Sequence, residues 1–397
     1  MAVTEKRDED SVPKVAWIND PKIRGAAYQL ILILVVAAMG WMIVSNAIVN
    51  LERQNIASGF GFLDNTAGFS ITQSLVNYSE ESSYGQAFLV GLLNTILVAV
   101  IGVILATVIG FIVGVARLSN NWVISRLAAV YVEVIRNIPL LLQIFFWYFA
   151  VLRSVPNPRN SVEFPGDVFL NNRGLFMPKL VLEAGSWVIG VAILVAVAII
   201  IGLARWAHRR QESTGQQFHT VWVSLAILIG LPLVVFFAAG MPLSIDLPQL
   251  KGFNFVGGMK VIPEFVGLLL ALSIYTASYI AEIVRAGILA VSHGQTEASY
   301  SLGLRPGPTL RLVVIPQAMR VIIPPLTNQY LNLTKNSSLA VAIAYPDLVS
   351  VFAGTVLNQT GQAVEVLSIT MLVYLTLSLL TSLFMNWFNA RMALVER

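Results

Sequence analysis

Eight stretches of this chain are so long and so oily that each needs shielding from water along its whole length, and this constrains the fold more than any motif. A bilayer core about 30 Å thick takes roughly 20 apolar residues as a helix. Hydropathy marks such stretches at about 26–48, 87–115, 131–152, 186–206, 220–239, 264–289, 319–344 and 363–389. With 56% hydrophobic and 12% charged residues among 397, a water-soluble core cannot absorb that much apolar surface. The composition reads as helical throughout, since a backbone in lipid must satisfy its own hydrogen bonds. An all-α membrane protein with about eight transmembrane helices is expected.

Charge sets the side. The lead at 1–25 carries Lys6, Arg7, Lys14, Lys22 and Arg24, whereas 49–86 carries only Arg53 among basic residues, so the lead is expected in the cytoplasm. It is longer and more acidic than a signal peptide's n-region and reads as a retained anchor. An even number of spans returns the C-terminus to the same side. Arg117, Arg126, the "RWAHRR" cluster at 205–210, Arg305, Arg311 and Arg397 then fall inside, while the outer loop 345–362 has no Lys or Arg. The loop 153–179 breaks the rule, because Arg153, Arg159, Arg173 and Lys179 would lie outside. It reads as a charged solvated loop or as a docking surface for a soluble partner. "GFIVG" at 110–114 is a small-xxx-small pattern that could allow close helix contact.

What is missing removes several functions. There is no cysteine, which excludes disulfides, thiolate metal sites and thiol catalysis. His208, His219 and His293 are scattered without ligand-like spacing, so no metal site is expected. No Gly-Lys dipeptide occurs, hence no P-loop, and the chain does not hydrolyse ATP by itself. Metalloprotease, hydrolase-elbow and kinase signatures are absent as well, leaving no catalytic residue and no cofactor to nominate. The charge of +4 follows from cytoplasmic loops and lends no support to nucleic-acid binding. Transport is left, beside a structural or sensory membrane role.

Ionisable groups inside spans cost about 2.5–3.5 kcal/mol each on insertion scales and are functional candidates by default. In Tyr131–Phe149, Glu133, Arg136, Asn137 and Gln143 interrupt an apolar segment. Glu133 and Arg136 can pair at i, i+3 or snorkel to the interface, and Pro139 suits a kink or a helix start. In Ser273–Ile288, Tyr275, Ser278, Tyr279 and Glu282 recur at helical spacing as one stripe, with Arg285 within reach of Glu282. That set can line a pathway or hold helices together. In Thr327–Ala340, Asn328, Asn332, Lys335, Asn336, Ser337 and Ser338 follow the double proline Pro324-Pro325, as suits a water-lined pathway. Lys335 can equally cap the helix or pair with a carboxylate.

"TEASYSLGLRPGPTLRLVVIPQA", Thr296–Ala318, is soluble in character yet lies between two spans. Thr296 can N-cap a helix, Glu297 suits its dipole, and Gly303 stands where a left-handed stop is expected. Pro306 and Pro308 forbid continuation. The result is a knob of about two turns with small side chains on view, fit for a groove on another protein. An amphipathic interfacial helix would explain the polarity, but not the small face and the hard stop together.

Glu297, Ala298, Gly303, Ile315 and Pro316 in this loop resemble the cytoplasmic loop of permease subunits of bacterial ABC importers, with Ser299 in place of the usual second alanine. "EVIRNIPLLLQIFFWYF" and "SYIAEIVRAGILAVSHGQTEA" are similar to segments of the polar amino-acid permease subfamily, which imports histidine, glutamate, glutamine, arginine and opines. The resemblance covers about 86–152 and 263–390. It implies a MetI-like permease domain at 86–390, interrupted by an insert at 153–262 with two spans, and preceded by an extra span and periplasmic loop at 26–85. That layout is similar to the long permeases of general L-amino-acid importers. The implied partners are a second related permease, two ATP-binding ATPase subunits and a periplasmic amino-acid-binding protein, in a bacterial inner membrane with both termini cytoplasmic. On this resemblance Gly294, Thr296, Glu297, Ala298, Ser299, Gly303 and Pro316, in the coupling loop about 296–316, meet the ATPase. Tyr275, Ser278, Tyr279, Glu282, Asn328, Asn332, Lys335 and Ser338 are pathway candidates; Glu133, Arg136, Gln143 and Arg285 are candidates for pairing helices. The alternatives are a secondary transporter or channel without an ATPase partner, and a receptor or scaffold that moves nothing.

Overall fold

The computed structural model describes residues 21–53 and 59–392. Lys6, Arg7, Lys14 and Arg397, used above to argue orientation, lie outside the described residues. Among the described residues, seven helical runs are long and apolar enough to cross a membrane. They are Arg24–Asn46 within α1 (Pro21–Arg53), α2 (Tyr84–Ala116), α5 (Trp187–Thr214), α6 (Thr220–Ala238), α7 (Pro263–Leu289), Pro306–Ile343, and α12 (Ala363–Met392).

The third expected span, 131–152, is not one straight helix. Instead α3 (Trp122–Asn137) and a second segment, Leu140–Ser154, which begins as α4 (Leu140–Phe145), meet at a bend of 106°. Pro139 is the cause: its ring disfavours helix at the preceding residue, and Ile138 is extended at φ −97°, ψ 125°. The bent pair runs along α7 from its middle to its first turn. Tyr131 Oη donates to the Ile274 carbonyl at 2.7 Å, and Tyr148 Oη donates to Glu264 Oε1 at 2.7 Å.

The centre of the molecule is α2 laid against α7. A methyl group added at Gly110 would lie 2.6 Å from the Ile280 side chain, and one at Gly114 only 2.8 Å from the Ala281 carbonyl oxygen. The small-xxx-small pattern therefore sets the close approach of these helices, which gain van der Waals contact where lipid offers no hydrophobic drive. After α8 (His293–Ser301) the chain turns through α9 (Pro306–Thr309) and a wide turn at Leu310–Val314 into α10 (Ile315–Asn336). Ala318, Ile322, Ile323, Leu326 and Leu333 of α10 join the same core, and Thr107 and Tyr330 hydroxyls meet across α2 and α10 at 2.9 Å. At the other end of these spans Phe62, Tyr84, Phe352, Val356 and Val366 form a second core. It lies under α11 (Leu357–Thr360) and the start of α12, where Gly59 N–H donates to Glu365 Oε1 at 2.6 Å.

α1 and the α5–α6 hairpin stand outside this core. No residue of α6 is buried, and α5 buries only Ala192, Ala196 and Ala207. Their apolar surface is the kind that lipid covers.

The expectation of helix throughout is corrected between the bent pair and α7. There the chain forms an antiparallel sheet in the order β1 (Val162–Phe164), β2 (Val168–Asn171), β3 (Gly174–Met177), β8 (Met259–Val261). Two separate two-stranded pairs accompany it, β4 (Lys179–Leu182) with β5 (Leu243–Asp246), which closes the base of α5 and α6, and the hairpin β6 (Gln249–Lys251) with β7 (Asn254–Val256). The first turn of the sheet is made by Gly166 and Asp167, both at positive φ (86° and 56°). Phe255 stacks between Phe169 and Phe176, with ring centroids 4.8 and 5.0 Å away. Runs of three or four residues bounded by Gly and Asn are strand grammar, too short to register on a hydropathy scan tuned to spans.

Candidate coupling and translocation sites

The candidate coupling segment begins at α8. Its N-cap is Ser292, so the expected capping role of Thr296 is corrected: Thr296 lies within the first turns. The C-terminal stop is as expected. Gly303, at φ +78°, donates its N–H to the Tyr300 carbonyl at 2.9 Å, and Leu304 N–H reaches the Ser299 carbonyl at 3.1 Å. These two bonds are a Schellman closure, which a β-carbon at Gly303 would strain. Ser299 is buried and donates to the Gln295 carbonyl at 2.7 Å, so the hydroxyl that replaces alanine is satisfied within its own helix. Gly294, Ala298 and Ser301 form an open small-residue face at i, i+4, i+7, with Glu297 beside it and the exposed side chains of Tyr300 and Leu302 at its end. His293 Nδ1 and Glu297 Oε1 are 3.3 Å apart on that surface.

Pro306 and Pro308 do not leave an open loop. They sit in the first turn of α9 behind Arg305 as N-cap, where a missing N–H is harmless. Pro316 likewise opens α10, and Gln317 Nε2 donates to Gln295 Oε1 at 3.3 Å, tying the start of α10 to α8.

The stripe on α7 divides. Ser278 is fully buried and donates to the Tyr275 carbonyl at 2.6 Å, so it faces the core, away from any pathway. Tyr275 and Tyr279 are half-buried with hydroxyls 3.1 Å apart, and the Arg136 guanidinium lies 4.9 Å from the centre of the Tyr279 ring. Arg136 therefore links α3 to α7 through a cation–π contact, where pairing with Glu133 was open. Glu282 is bound by Arg117, at the end of α2, and by Arg285 at 3.0 Å. Arg285 thus meets Glu282 within α7 itself, and Arg117, read above only as an inside charge, is the partner across helices that sequence spacing could not supply. Gln143 is buried at the corner of the bent pair; its Nε2 donates to the Ile135 and Ile138 carbonyls, both at 2.9 Å.

On α10 the pathway candidates share one face. Pro324, Pro325, Asn328, Asn332 and Lys335 are all exposed, on the side opposite the buried Ile322, Ile323, Leu326 and Leu333. A polar and cationic stripe this far into an apolar run has to meet water or protein. Ser338 donates to the Lys335 carbonyl at 2.7 Å, at the point where α10 tightens into Ser337–Ile343.

A second polar cluster escaped the reading of the sequence. Asn94 Nδ2 donates to the Gln73 and Pro346 carbonyls at 2.9 Å each, and Leu348 N–H reaches Thr95 Oγ1 at 3.0 Å. Gln73 Nε2 donates to Tyr345 Oη at 3.2 Å, and Ser350 N–H to Asp347 Oδ1 at 2.8 Å. Asp347, between the last two spans, is fully buried, and burial pushes its pKa up to about 7 against the pull of hydrogen bonds from the backbone. The Asn94-Thr95 pair inside an oily helix was the available signal. Among the described residues no group of three or more His, Cys, Asp or Glu is placed to hold a metal ion.

Spanning helices around a glycine-tight pair, a polar face on a span whose helix runs unbroken through Pro324 and Pro325, and a short helix with a hard stop between two spans define a polytopic membrane permease. Residues 215–394 match the family described as "Binding-protein-dependent transport system inner membrane component". The chain is 58% identical to the general L-amino acid transport system permease protein AapQ of Rhizobium johnstonii, over 95% of this chain and 94% of that one. It is 52% identical to the putative amino-acid ABC transporter permease protein YhdX of Escherichia coli, covering 95% and 96%. It is 42% identical to the glutamate/glutamine/aspartate/asparagine transport system permease protein BztB of Rhodobacter capsulatus, covering 96% of each. The chain belongs to the permease subunits of ABC transport systems: a multi-pass inner-membrane component that is not itself an enzyme and works with an ATPase and a binding protein.

Proposed function

We propose that this permease carries polar L-amino acids into the cell, as one of two related permeases above two ATPase subunits and below a periplasmic amino-acid-binding protein. The observation that carries the mechanism is α8, a projecting helix with a hard stop and an open face of Gly294, Ala298 and Ser301. Such a knob transmits a push without yielding, and Gln317 passes that push to α10.

α7 relates the two faces of the molecule. Its 27 residues span about 40 Å at 1.5 Å each, with α8 at one end and the strands of the insert at the other. With α8 cytoplasmic, the strands are periplasmic, the bent pair counts as one crossing, and both termini return to the cytoplasm. Arg153, Arg159, Arg173 and Lys179, all exposed, then stand on the face where a binding protein arrives. The stripe Asn328–Asn332–Lys335 faces the second permease across the pathway, where Lys335 offers a cation to the substrate carboxylate. Tyr275 and Tyr279 are the α7 side of the same lining.

The test is uptake by the four-subunit complex reconstituted with its binding protein in vesicles. Labelled glutamate should enter only with ATP inside and binding protein outside, and competition by the other amino acids should rank polar above apolar ones. Uptake that needs neither ATP nor binding protein would sink this reading in favour of a secondary transporter or channel.

A further inference from the structure

The α5–α6 hairpin stands apart from the core that carries α8 and the polar stripe, yet it carries the densest basic cluster of the chain. Trp187 and Trp206 lie nineteen positions apart on α5, about 28 Å along a helix, close to the thickness of a bilayer core. Both are exposed, and Trp222, on the first turn of α6, is 72% exposed. Tryptophans so placed mark headgroup level. Trp206 and Trp222 mark it at the end of the hairpin away from the strands, on the side of α8.

At that level stand Arg205, Arg209 and Arg210, with His208 and Glu212 paired to each other at 3.4 Å. Arg210 is fixed: its guanidinium lies 5.3 Å from the centre of the Trp206 ring, and Nη2 donates to Gln216 Oε1 at 3.2 Å. Trp206 in turn meets Phe218 edge-on at 5.4 Å. One turn further, an apolar groove of about 600 Å³ opens at Trp222 and runs down α6 past Val223, Ala226, Gly230 and Val234, with Ile199 of α5 as its other wall. Cations at phosphate depth above a continuous apolar groove match the two halves of a phospholipid. A soluble phosphate would use only the first half, and a partner's helix only the second.

We propose that this end of the hairpin binds one anionic phospholipid of the inner leaflet, its phosphate held by Arg205, Arg209 and Arg210 and one acyl chain lying in the groove. The lipid would anchor the insert on the side opposite its strands.

The test is native mass spectrometry of the detergent-purified complex titrated with phosphatidylglycerol, with phosphatidylcholine and glycerol phosphate as comparisons. Phosphatidylglycerol should bind at least tenfold more tightly than phosphatidylcholine. R205Q/R209Q/R210Q should lose at least tenfold of that affinity, while R205K/R209K/R210K stays within a few-fold of the parent. Gly230→Phe, which fills the groove where nothing lies within 4 Å, should weaken phosphatidylglycerol several-fold. Should the triple Gln variant fail to assemble, R209Q and R210Q singly should each cost about threefold or more. The proposal is overturned by equal binding of phosphatidylcholine, by Gln variants that bind as the parent does, by a Gly230→Phe complex with unchanged affinity, or by displacement of the lipid by glycerol phosphate.

Discussion

Glu282 and Arg117 join α7 to the end of α2 at the edge of the membrane nearest α8, and Arg285 completes the cluster from one turn away. The carboxylate is therefore already neutralised. Its side chain is about 31% exposed, so water screens part of the attraction and the pair is worth roughly 1 kcal/mol.

Glu282→Gln should lower the unfolding midpoint of the purified complex by about 2–4 °C and leave transport by surviving complexes near normal. Arg117→Gln should do the same, and the double variant should cost no more than either single one. A thermal melt of the four proteins closes the cycle. Additive losses would mean that the two residues act separately, and a normal melt with lost uptake would return Glu282 to the pathway.

Gly303 closes α8 in the left-handed region, which costs an ordinary residue roughly 1–2 kcal/mol and a β-branched one more. Gly303→Val should uncouple the transporter: ATP hydrolysis continues while labelled uptake falls several-fold. Gly303→Asn should retain most uptake, since asparagine visits that conformation most readily after glycine. Uptake per ATP in vesicles decides the matter, and equal coupling in both variants would detach the Schellman closure from function.

Hydropathy located seven of eight crossings closely, because twenty apolar residues in a row have one physical solution. It drew 131–152 as a single rod, although Pro139 was in view, since a hydropathy average carries no information on direction. The strands of the insert were missed for a related reason: segments of three or four residues leave no trace in a window of about twenty. Gly303 and Arg285 were legible because their chemistry is local. Arg117, 165 positions from Glu282, and the links from Asn94 to Gln73 and Pro346 depend on the packing of distant segments, which composition does not encode.

One amide braces the corner that Pro139 makes. Gln143 Nε2 bridges the Ile135 carbonyl, before the break, and the Ile138 carbonyl at it. Gln143→Leu should strand both carbonyls in an apolar setting, at a cost of about 1–3 kcal/mol, and let the 106° angle open. Spin labels on α3 and beyond α4 should report a broader distance distribution, together with a lower unfolding midpoint. An unchanged distribution would assign the corner to Pro139 alone.

Asp347 supplies a pH dependence of definite sign. In the folded chain its pKa is pushed up to about 7, from 3.8, because burial disfavours the ionised form. Below both values the acid is protonated in folded and unfolded chains alike, and its contribution to stability is greatest. As pH rises from about 4 to 7 the unfolded chain releases the proton first, so stability is lost across that window and levels off above it. Asp347→Asn keeps an oxygen for the Ser350 N–H and puts its amide where Oδ2 now accepts from Tyr374 Oη at 3.4 Å, while removing the titration. The midpoint of the variant relative to the parent should therefore rise by a few degrees between pH 4.5 and 7.5. Melts at four pH values measure it. Parallel curves would show that Asp347 titrates alike in both states, and a widening in favour of the parent would reverse the sign derived from its burial.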